Sequence, residues 1–455
     1  MKNKITIAGA GLAGSLLSVY LAKKGFEVNV YERRPDMRKE NAGAGKSINL
    51  ALSTRGIHAL KEVGIYDEIK KISIPMYGRM IHAQDGQLMF QRYGKDDTEY
   101  INAVSRAELN NSLMNLAEKN DNVKIFFNER CTGADFKNAE IFLHNEKTGV
   151  ESGVKSEVVI ATDGATSALR MEMQKMPRFN FSQVYENYGY KELTIPPGPD
   201  GSFLMEKNSL HIWPRGSFML IALPNLDGSY TCTLFIAYDM KLAGENSLEY
   251  IDSKDKAQKF FAEMFPDALE LMPDVADQYM SNPTGTLMTV KCHPWIAEDK
   301  IALLGDACHA IVPFFGQGMN AAFEDCTCLS DCIDKFGQDW KKVFSEYELL
   351  RKENSDAIAD LAIENFVEMR DLVADKRFQL KKKIESQLFK LFPDKFIPKY
   401  SMVTFYRIPY ATALKRGKIQ EVILHVLSEG ISSETETNLE LAEDLIKERL
   451  TVLFP

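Results

Sequence analysis

Glycines at 9, 11 and 14 follow one apolar run and a glutamate at 32 closes a second, so residues 5–32 (ITIAGAGLAGSLLSVYLAKKGFEVNVYE) read as strand, glycine turn, helix, strand and acidic terminus. That order suits an adenine dinucleotide. Gly9 permits the tight turn, Gly11 lets backbone approach a pyrophosphate without a Cβ in the way, and Gly14 lets the helix pack closely on the strand. The free N–H groups at the helix start then face the phosphates. Glu32 is placed to accept hydrogen bonds from ribose hydroxyls, and Arg33 and Arg34 follow it directly. The spacing is kept through Leu21, Gly25 and Val28, which an ordinary glycine loop would not require.

Two more pairs, Asp163-Gly164 and Gly305-Asp306, each end an apolar run (VVIATDG and IALLGD), the place where an open parallel sheet receives its ligand. Downstream of Asp306, glycines stand at 316 and 318, where the backbone carries no Cβ. A helix opening at Met319 and Asn320 offers N–H groups and a positive dipole end. No HxxxH or HExxH pair occurs. Cys326, Cys328 and Cys332 fall within one predicted helix and cannot all face one ion, so no catalytic metal is expected.

The elements that must position these residues are legible in outline. Residues 47–64 (SINLALSTRGIHALKEVG) turn from an extended stretch into a helix, and Asp85-Gly86 between two apolar runs marks a hairpin within 76–92. Ser105 stands three residues before Glu108, a capping box opening an amphipathic helix. After the strand ending at Asp163-Gly164, residues from Pro177 onward read as short alternating strands, with a hairpin at Asp227-Gly228. From about Trp340 the chain reads as helical, interrupted at Pro393, Pro398 and Pro409. The expected division is a dinucleotide-binding domain from 1–75, 101–175 and 285–340, a β-rich substrate domain from 76–100 and 176–284, and a C-terminal helical region over 341–455.

Length and composition agree. A chain of 455 residues has room for about three domain-sized units, and 45% hydrophobic with 26% charged residues is an ordinary globular balance. A net charge of -9 argues against nucleic acid, which needs a concentrated basic face. Seven cysteines, an odd number without a secretory framework, point to free thiols in a reducing cytoplasm. The longest apolar runs, such as 218–224, are far below a membrane span.

Taken together, the glycine fingerprint, Asp163-Gly164 and Gly305-Asp306 resemble the FAD-dependent aromatic hydroxylases. The resemblance implies an α/β fold in which a Rossmann-like FAD-binding domain is interleaved with a β-sheet substrate domain and followed by a C-terminal helical region. It implies FAD held by Gly9, Gly11, Ala13, Gly14, Glu32, Arg33 and Arg34, by Ala51, Arg106 and Asp163, and by Asp306, Gly318, Met319 and Asn320. Ser18 departs mildly from the alanine usual in that fingerprint. The segments SINLALSTRG, IPMYGRMIHAQDG, VPFFGQGMNAAFED and FIPKYSMVTF are similar to the kynurenine-hydroxylating branch of the family. In that branch an arginine, two tyrosines and an asparagine grip the amino acid; they fall here on Arg79, Tyr93, Tyr400 and Asn365.

The implied reaction is hydroxylation of L-kynurenine at ring position 3 with NADPH and O2, through a flavin C4a-hydroperoxide and without a protein nucleophile. No second glycine fingerprint follows a strand, so NADPH is expected to visit transiently. Two other readings stay open: a related FAD-dependent hydroxylase of another aromatic acid, and a flavin-binding protein without turnover. Animal members of the resembled family carry a C-terminal membrane anchor, whereas residues 434–455 here are charged and amphipathic. A cytoplasmic enzyme without a membrane span is therefore expected.

Overall fold

A computed structural model describes residues 3–39, 49–372 and 375–453, with the side chains of 371 and 372 left aside. Ser47 and Ile48 of the SINLALSTRG segment lie outside the described residues. The chain divides into two compact units: Met1–Ser73, Ala103–Glu186 and Leu287–Ala359 form one, and Ile74–Asn102, Asn187–Thr286 and Asp360–Pro455 form the other.

The first unit is built on a six-stranded sheet in the order Ile296–Ala297, Ile301–Leu303, Val158–Ala161, Lys4–Ala8, Glu27–Glu32, Val123–Phe127. The four contacts from Ile301–Leu303 through to Val123–Phe127 are parallel; only Ile296–Ala297 pairs antiparallel. Helices and loops cover both faces, so the central strands are apolar throughout rather than alternating. Ile5, Ile7, Val28, Val30, Val159 and Ile160 are wholly buried, each contributing about 1.5–3 kcal/mol. The helix Leu12–Lys23 packs between Arg106–Glu118 and Gly318–Phe336, which explains why Gly14 through Ala22 are all buried. Ser105 caps Arg106–Glu118 by accepting from the Glu108 N–H at 3.4 Å, as the capping box predicts.

Successive connections leave Lys4–Ala8 toward opposite edges of the sheet, which makes its carboxyl end the switch point where such sheets bind ligands. The three motif loops follow Ala8, Ala161 and Leu303, at that end.

The second unit carries strands of a seven-stranded sheet ordered Thr284–His293, Asn180–Ile195, Tyr230–Ala237, Met219–Pro224, Ser209–Pro214, Gly78–His82, Leu88–Arg92. The predicted hairpins at Asp85-Gly86 and Asp227-Gly228 are present as antiparallel pairs. The reading of short strands after Pro177 needs correction: Asn180–Ile195 is one sixteen-residue strand, ended by Pro196 and Pro197. Its first half is exposed and shows no alternation, which disguised its length. Trp213, Phe218, Tyr230, Phe261, Phe265 and Tyr279 form an aromatic core under the helices Lys254–Met264, Pro266–Leu271 and Val275–Ser281.

Residues beyond 375 are helical, over Lys376–Leu391, Lys399–Thr404, Tyr410–Leu427 and Leu439–Arg449, around Ile384, Leu388, Ile423 and Ile446. Pro398 and Pro409 occupy the N-cap positions of two of these helices. Among the described residues no helix is long and apolar enough to cross a membrane, and no cluster of His, Cys, Asp or Glu could hold a metal ion. All seven cysteines are free thiols.

Candidate active site

In the first motif the three glycines do different work. Gly9 has φ +101°, and a Cβ there would lie 2.6 Å from the Thr162 carbonyl oxygen. At Gly14 a Cβ would stand 2.0 Å from the Gly9 carbonyl oxygen, so helix and strand touch backbone to backbone. A Cβ at Gly11 would meet nothing within 4 Å: the space it leaves is not filled by the chain itself. The Ala10 N–H donates to Glu32 Oε2 at 2.9 Å, and Glu32 Oε1 accepts from Arg34 N and Nε at 3.0 and 2.8 Å. Burial pushes the Glu32 carboxyl upward, but Arg34 and the Ala10 N–H outweigh it and hold it below the usual range. It is thus an ionised acceptor with lone-pair capacity remaining. Arg33 and Arg34 are exposed beside it.

The second loop abuts the first, since Thr162 Oγ1 donates to the Ala8 and Gly9 carbonyls at 3.0 and 2.9 Å. Asp163 Oδ2 accepts from the Ala168 N–H at 2.8 Å, while Oδ1 is buried without a partner. Asn110 also leaves Oδ1 unpaired while its amide donates to the Ala10 carbonyl at 3.2 Å.

Asp306, in the third loop, is open to solvent, yet desolvation lifts its pKa against the pull of His309 and Arg106. Gly305 comes within reach of Ala13: a Cβ at 305 would lie 3.6 Å from the Ala13 Cβ. Gly316, at φ +65°, passes so close to Ala51 that a Cβ would sit 2.9 Å from the alanine methyl. The Asn320 side chain is fully engaged in the protein, accepting from the Ser53 N–H at 2.9 Å and donating to the Ala51 and Gly316 carbonyls at 2.8 and 2.9 Å. What it leaves for a ligand is backbone. The N–H groups of Gly318, Met319 and Asn320 precede the first intrahelical bond, from Ala321 N to the Gln317 carbonyl.

Behind this loop lies a charged network centred on Asp325. Its carboxylate accepts from the Gly305 N–H at 3.1 Å, pairs with His309 Nε2 at 2.5 Å and receives Arg351 Nε at 2.6 Å. Arg351 also reaches Glu324 at 2.7 Å, which in turn holds Arg55 at 3.1 Å. Burial raises the Asp325 pKa, but His309 and Arg351 overcome it and keep the group a carboxylate.

The second set of residues gathers in the other unit. Arg79, on the strand Gly78–His82, is 7% exposed, and its guanidinium carbon lies 5.5 and 5.4 Å from the ring centres of Tyr93 and Tyr400. Those rings stack at 5.4 Å and 13°. Arg79 hydrogen-bonds both phenols, and because a guanidinium only donates, both phenol oxygens accept. Burial raises both tyrosines, so they stay neutral and keep their own protons. Asn365 is buried on the helix Trp340–Val367, its amide 3.2 Å from Met369 Sδ.

Two charged residues missed in the sequence complete the surroundings of Arg79. Burial works against the charge of Arg79, whereas Tyr93, Tyr400 and Glu368 favour it. Glu368 is shared with Lys382 at 3.8 Å, and Lys382 reaches Glu385 at 3.2 Å. The one signal for Glu368 was its place three residues after Asn365, one helical turn along.

All the predicted cofactor residues fall within the first unit and all four predicted substrate residues within the second. The first set fits FAD: a Cβ-free space at the glycine turn, an ionised acceptor at Glu32, unpaired oxygens on Asp163 and Asn110, and an exposed carboxyl at Asp306. A family model described as an FAD binding domain matches residues 2–216 and 273–352. Kynurenine 3-monooxygenase of Myxococcus xanthus is 50% identical over 450 residues, covering 99% of this chain and 96% of the relative. The Dictyostelium discoideum enzyme of that name is 46% identical over 464 residues, covering 99% of each. Among solved structures, 2-methyl-3-hydroxypyridine-5-carboxylic acid oxygenase aligns at TM-score 0.66 and 19% identity over 82% of this chain and 94% of its own. The p-nitrophenol 4-monooxygenase of Pseudomonas putida aligns at 0.64 and 17%, over 95% and 98%. These structures share the fold.

Proposed function

The chain belongs to the kynurenine 3-monooxygenases, a family of FAD-dependent hydroxylases, and on that premise we propose that it hydroxylates L-kynurenine at ring position 3. It is an FAD-dependent aromatic monooxygenase, and FAD when bound supplies the oxygen-activating chemistry. NADPH and O2 are the co-substrates, and 3-hydroxykynurenine and water the products. NADPH visits without a dinucleotide domain of its own.

The protein's part is binding, orientation and exclusion of water. Arg79 receives the substrate carboxylate on its planar fork, and Tyr93 and Tyr400, which keep their protons, donate to the same group. Asn365 completes the clamp. Toward FAD, Gly9, Gly11 and Gly14 shape the pyrophosphate turn, Glu32 takes a ribose, and Arg33 and Arg34 flank the adenosine. Ala13 and Ala51 allow close backbone approach, while Arg106, Asp163 and Asp306 serve the ribityl and flavin end. The N–H groups of Gly318, Met319 and Asn320 stabilise negative charge on the ring. The flavin domain is formed by 1–75, 101–175 and 285–340 and the substrate domain by 76–100 and 176–284, with 341–455 a helical region. Seven free thiols favour the cytoplasm as its compartment.

The observation that carries this reading is the Arg79, Tyr93 and Tyr400 cluster, a buried cation flanked by two neutral donors in a chain similar to these enzymes over nearly its whole length. Its test is NADPH oxidation by the FAD-loaded protein with and without L-kynurenine, with the product identified by mass and ring position. Stimulation with hydroxylation at carbon 3 is expected. Oxidation without a hydroxylated product, or hydroxylation elsewhere on the ring, refutes it.

A further inference from the structure

We propose that Gln91 is a substrate-binding residue whose side-chain oxygen accepts from the α-ammonium of the amino acid held at Arg79, and so selects α-amino acids over plain aromatic acids. In the antiparallel pair of Gly78–His82 with Leu88–Arg92, Gln91 stands directly opposite Arg79. Residues opposed in this way send their side chains to one face, with Cβ atoms about 5 Å apart. The pairing runs past the strand to the Tyr93 N–H, which donates to the Tyr77 carbonyl at 3.0 Å. Tyr93 is therefore two residues along on the same face, and Gln91 neighbours both members of the clamp. Phe90 and Arg92 take the other face and are exposed. Gln91 Oε1, by contrast, is buried and has no hydrogen-bond partner among the described residues.

Arg79, directly across the ladder, does not satisfy that oxygen; its guanidinium is turned to the phenols of Tyr93 and Tyr400. A buried acceptor left unpaired is costly, and a donor brought by a ligand would remove the cost. The clamp supplies donors for a carboxylate, but an amino acid carries a second charged group on the same carbon. A primary ammonium donates three hydrogen bonds and accepts none. The aromatic amine, the other nitrogen of L-kynurenine, sits beside the ring carbon that is hydroxylated, at the opposite end of the molecule. Glu368, the anion facing Arg79, is shared with Lys382 at 3.8 Å. A carboxamide at position 91 suits the place better than a carboxylate, which would compete with the substrate for the guanidinium.

The inference rests on the reading that Arg79 holds the carboxylate of L-kynurenine. Its test uses the FAD-loaded full-length chain as Gln91→Met, Gln91→Asn and Arg79→Met. Dissociation constants are measured by equilibrium dialysis, without NADPH, for L-kynurenine and for its deaminated analogue, which has hydrogen in place of the α-ammonium. Gln91→Met keeps nearly the same length and should bind L-kynurenine about tenfold more weakly, with the analogue changed less than about threefold. Gln91→Asn keeps a carboxamide but draws it back by one carbon; it should show the same selective loss and gives the answer should Gln91→Met fail to fold. A loss shared equally by the two ligands is what distortion of the strand would produce and overturns the proposal, as does an unchanged L-kynurenine constant. Arg79→Met should weaken both ligands, since both carry the carboxylate. If it weakens neither, the clamp itself has failed; if it weakens both while the Gln91 variants spare L-kynurenine, only the ammonium assignment has.

Discussion

Replacing Arg79 with methionine keeps most of the side chain's length while removing its charge and five donors. The carboxylate of a bound amino acid would lose a bidentate, charge-assisted pair worth about 3 kcal/mol in a buried setting. Few other terms change. Glu368 keeps Lys382 at 3.8 Å and is not stranded as a lone buried charge, and the phenols of Tyr93 and Tyr400 lose an inward donor but keep their protons. A loss of about 3 kcal/mol corresponds to about 100-fold in kcat/KM. The carboxylate is remote from the ring carbon that reacts, so the loss should fall mainly on KM.

FAD content should be unaffected, because every cofactor residue proposed above belongs to the other unit. The assay is steady-state NADPH oxidation and product formation against L-kynurenine concentration, with flavin per chain from the visible absorbance. A KM within about threefold of the unchanged protein, at normal flavin content, would refute the clamp. Loss of flavin would refute the division of labour between the two units.

Four further substitutions separate the roles of backbone, buried charge and buried histidine. Gly14→Ala forces a Cβ to within 2.0 Å of the Gly9 carbonyl and should cost about 1–3 kcal/mol in thermal unfolding along with FAD, whereas Gly11→Ala meets open space and should lose FAD affinity at an unchanged apoprotein midpoint; equal midpoints for the two would contradict this. Arg351→Met removes the cation between Asp325 and Glu324 and should destabilise the chain by about 3–5 kcal/mol in denaturant titration, less than 1 kcal/mol being incompatible with a buried network. Burial pushes His211 down to about 4, with His82 adding to it against the Glu206 carbonyl, so the folded chain binds fewer protons than the unfolded chain between that value and 6.5. Its contribution is complete above pH 6.5 and is lost as pH falls toward 4, about 3 kcal/mol in all; His211→Asn should flatten that part of the stability profile, and an unchanged slope would count against a neutral buried imidazole.

What could be read from the residues alone was whatever is encoded locally. The turn from Gly9 to Gly14, the cap at Ser105 and the hairpin at Asp85-Gly86 each depend on a few consecutive residues, and each is present. The proposed cofactor set was drawn from glycines and aspartates at the ends of apolar strands, and the proposed substrate set from resemblance. Glu368 was not legible, since the cation it favours, Arg79, lies far away in the chain. The strand Asn180–Ile195 was misjudged for a related reason, its exposed half offering no alternation to read.

The order in which the sheet of the first unit is threaded has a consequence for synthesis. Val158–Ala161 leaves the ribosome long before its neighbour Ile301–Leu303, about 140 residues and roughly 7–28 s later at 5–20 residues per second. Throughout that interval an apolar strand is a bare edge in the nascent chain, the kind of surface that recruits chaperones or aggregates. The last flavin loop and the helix Gly318–Phe336 emerge later still. A gene cut short at about codon 300 would therefore yield a colourless and insoluble fragment, however intact its glycine turn.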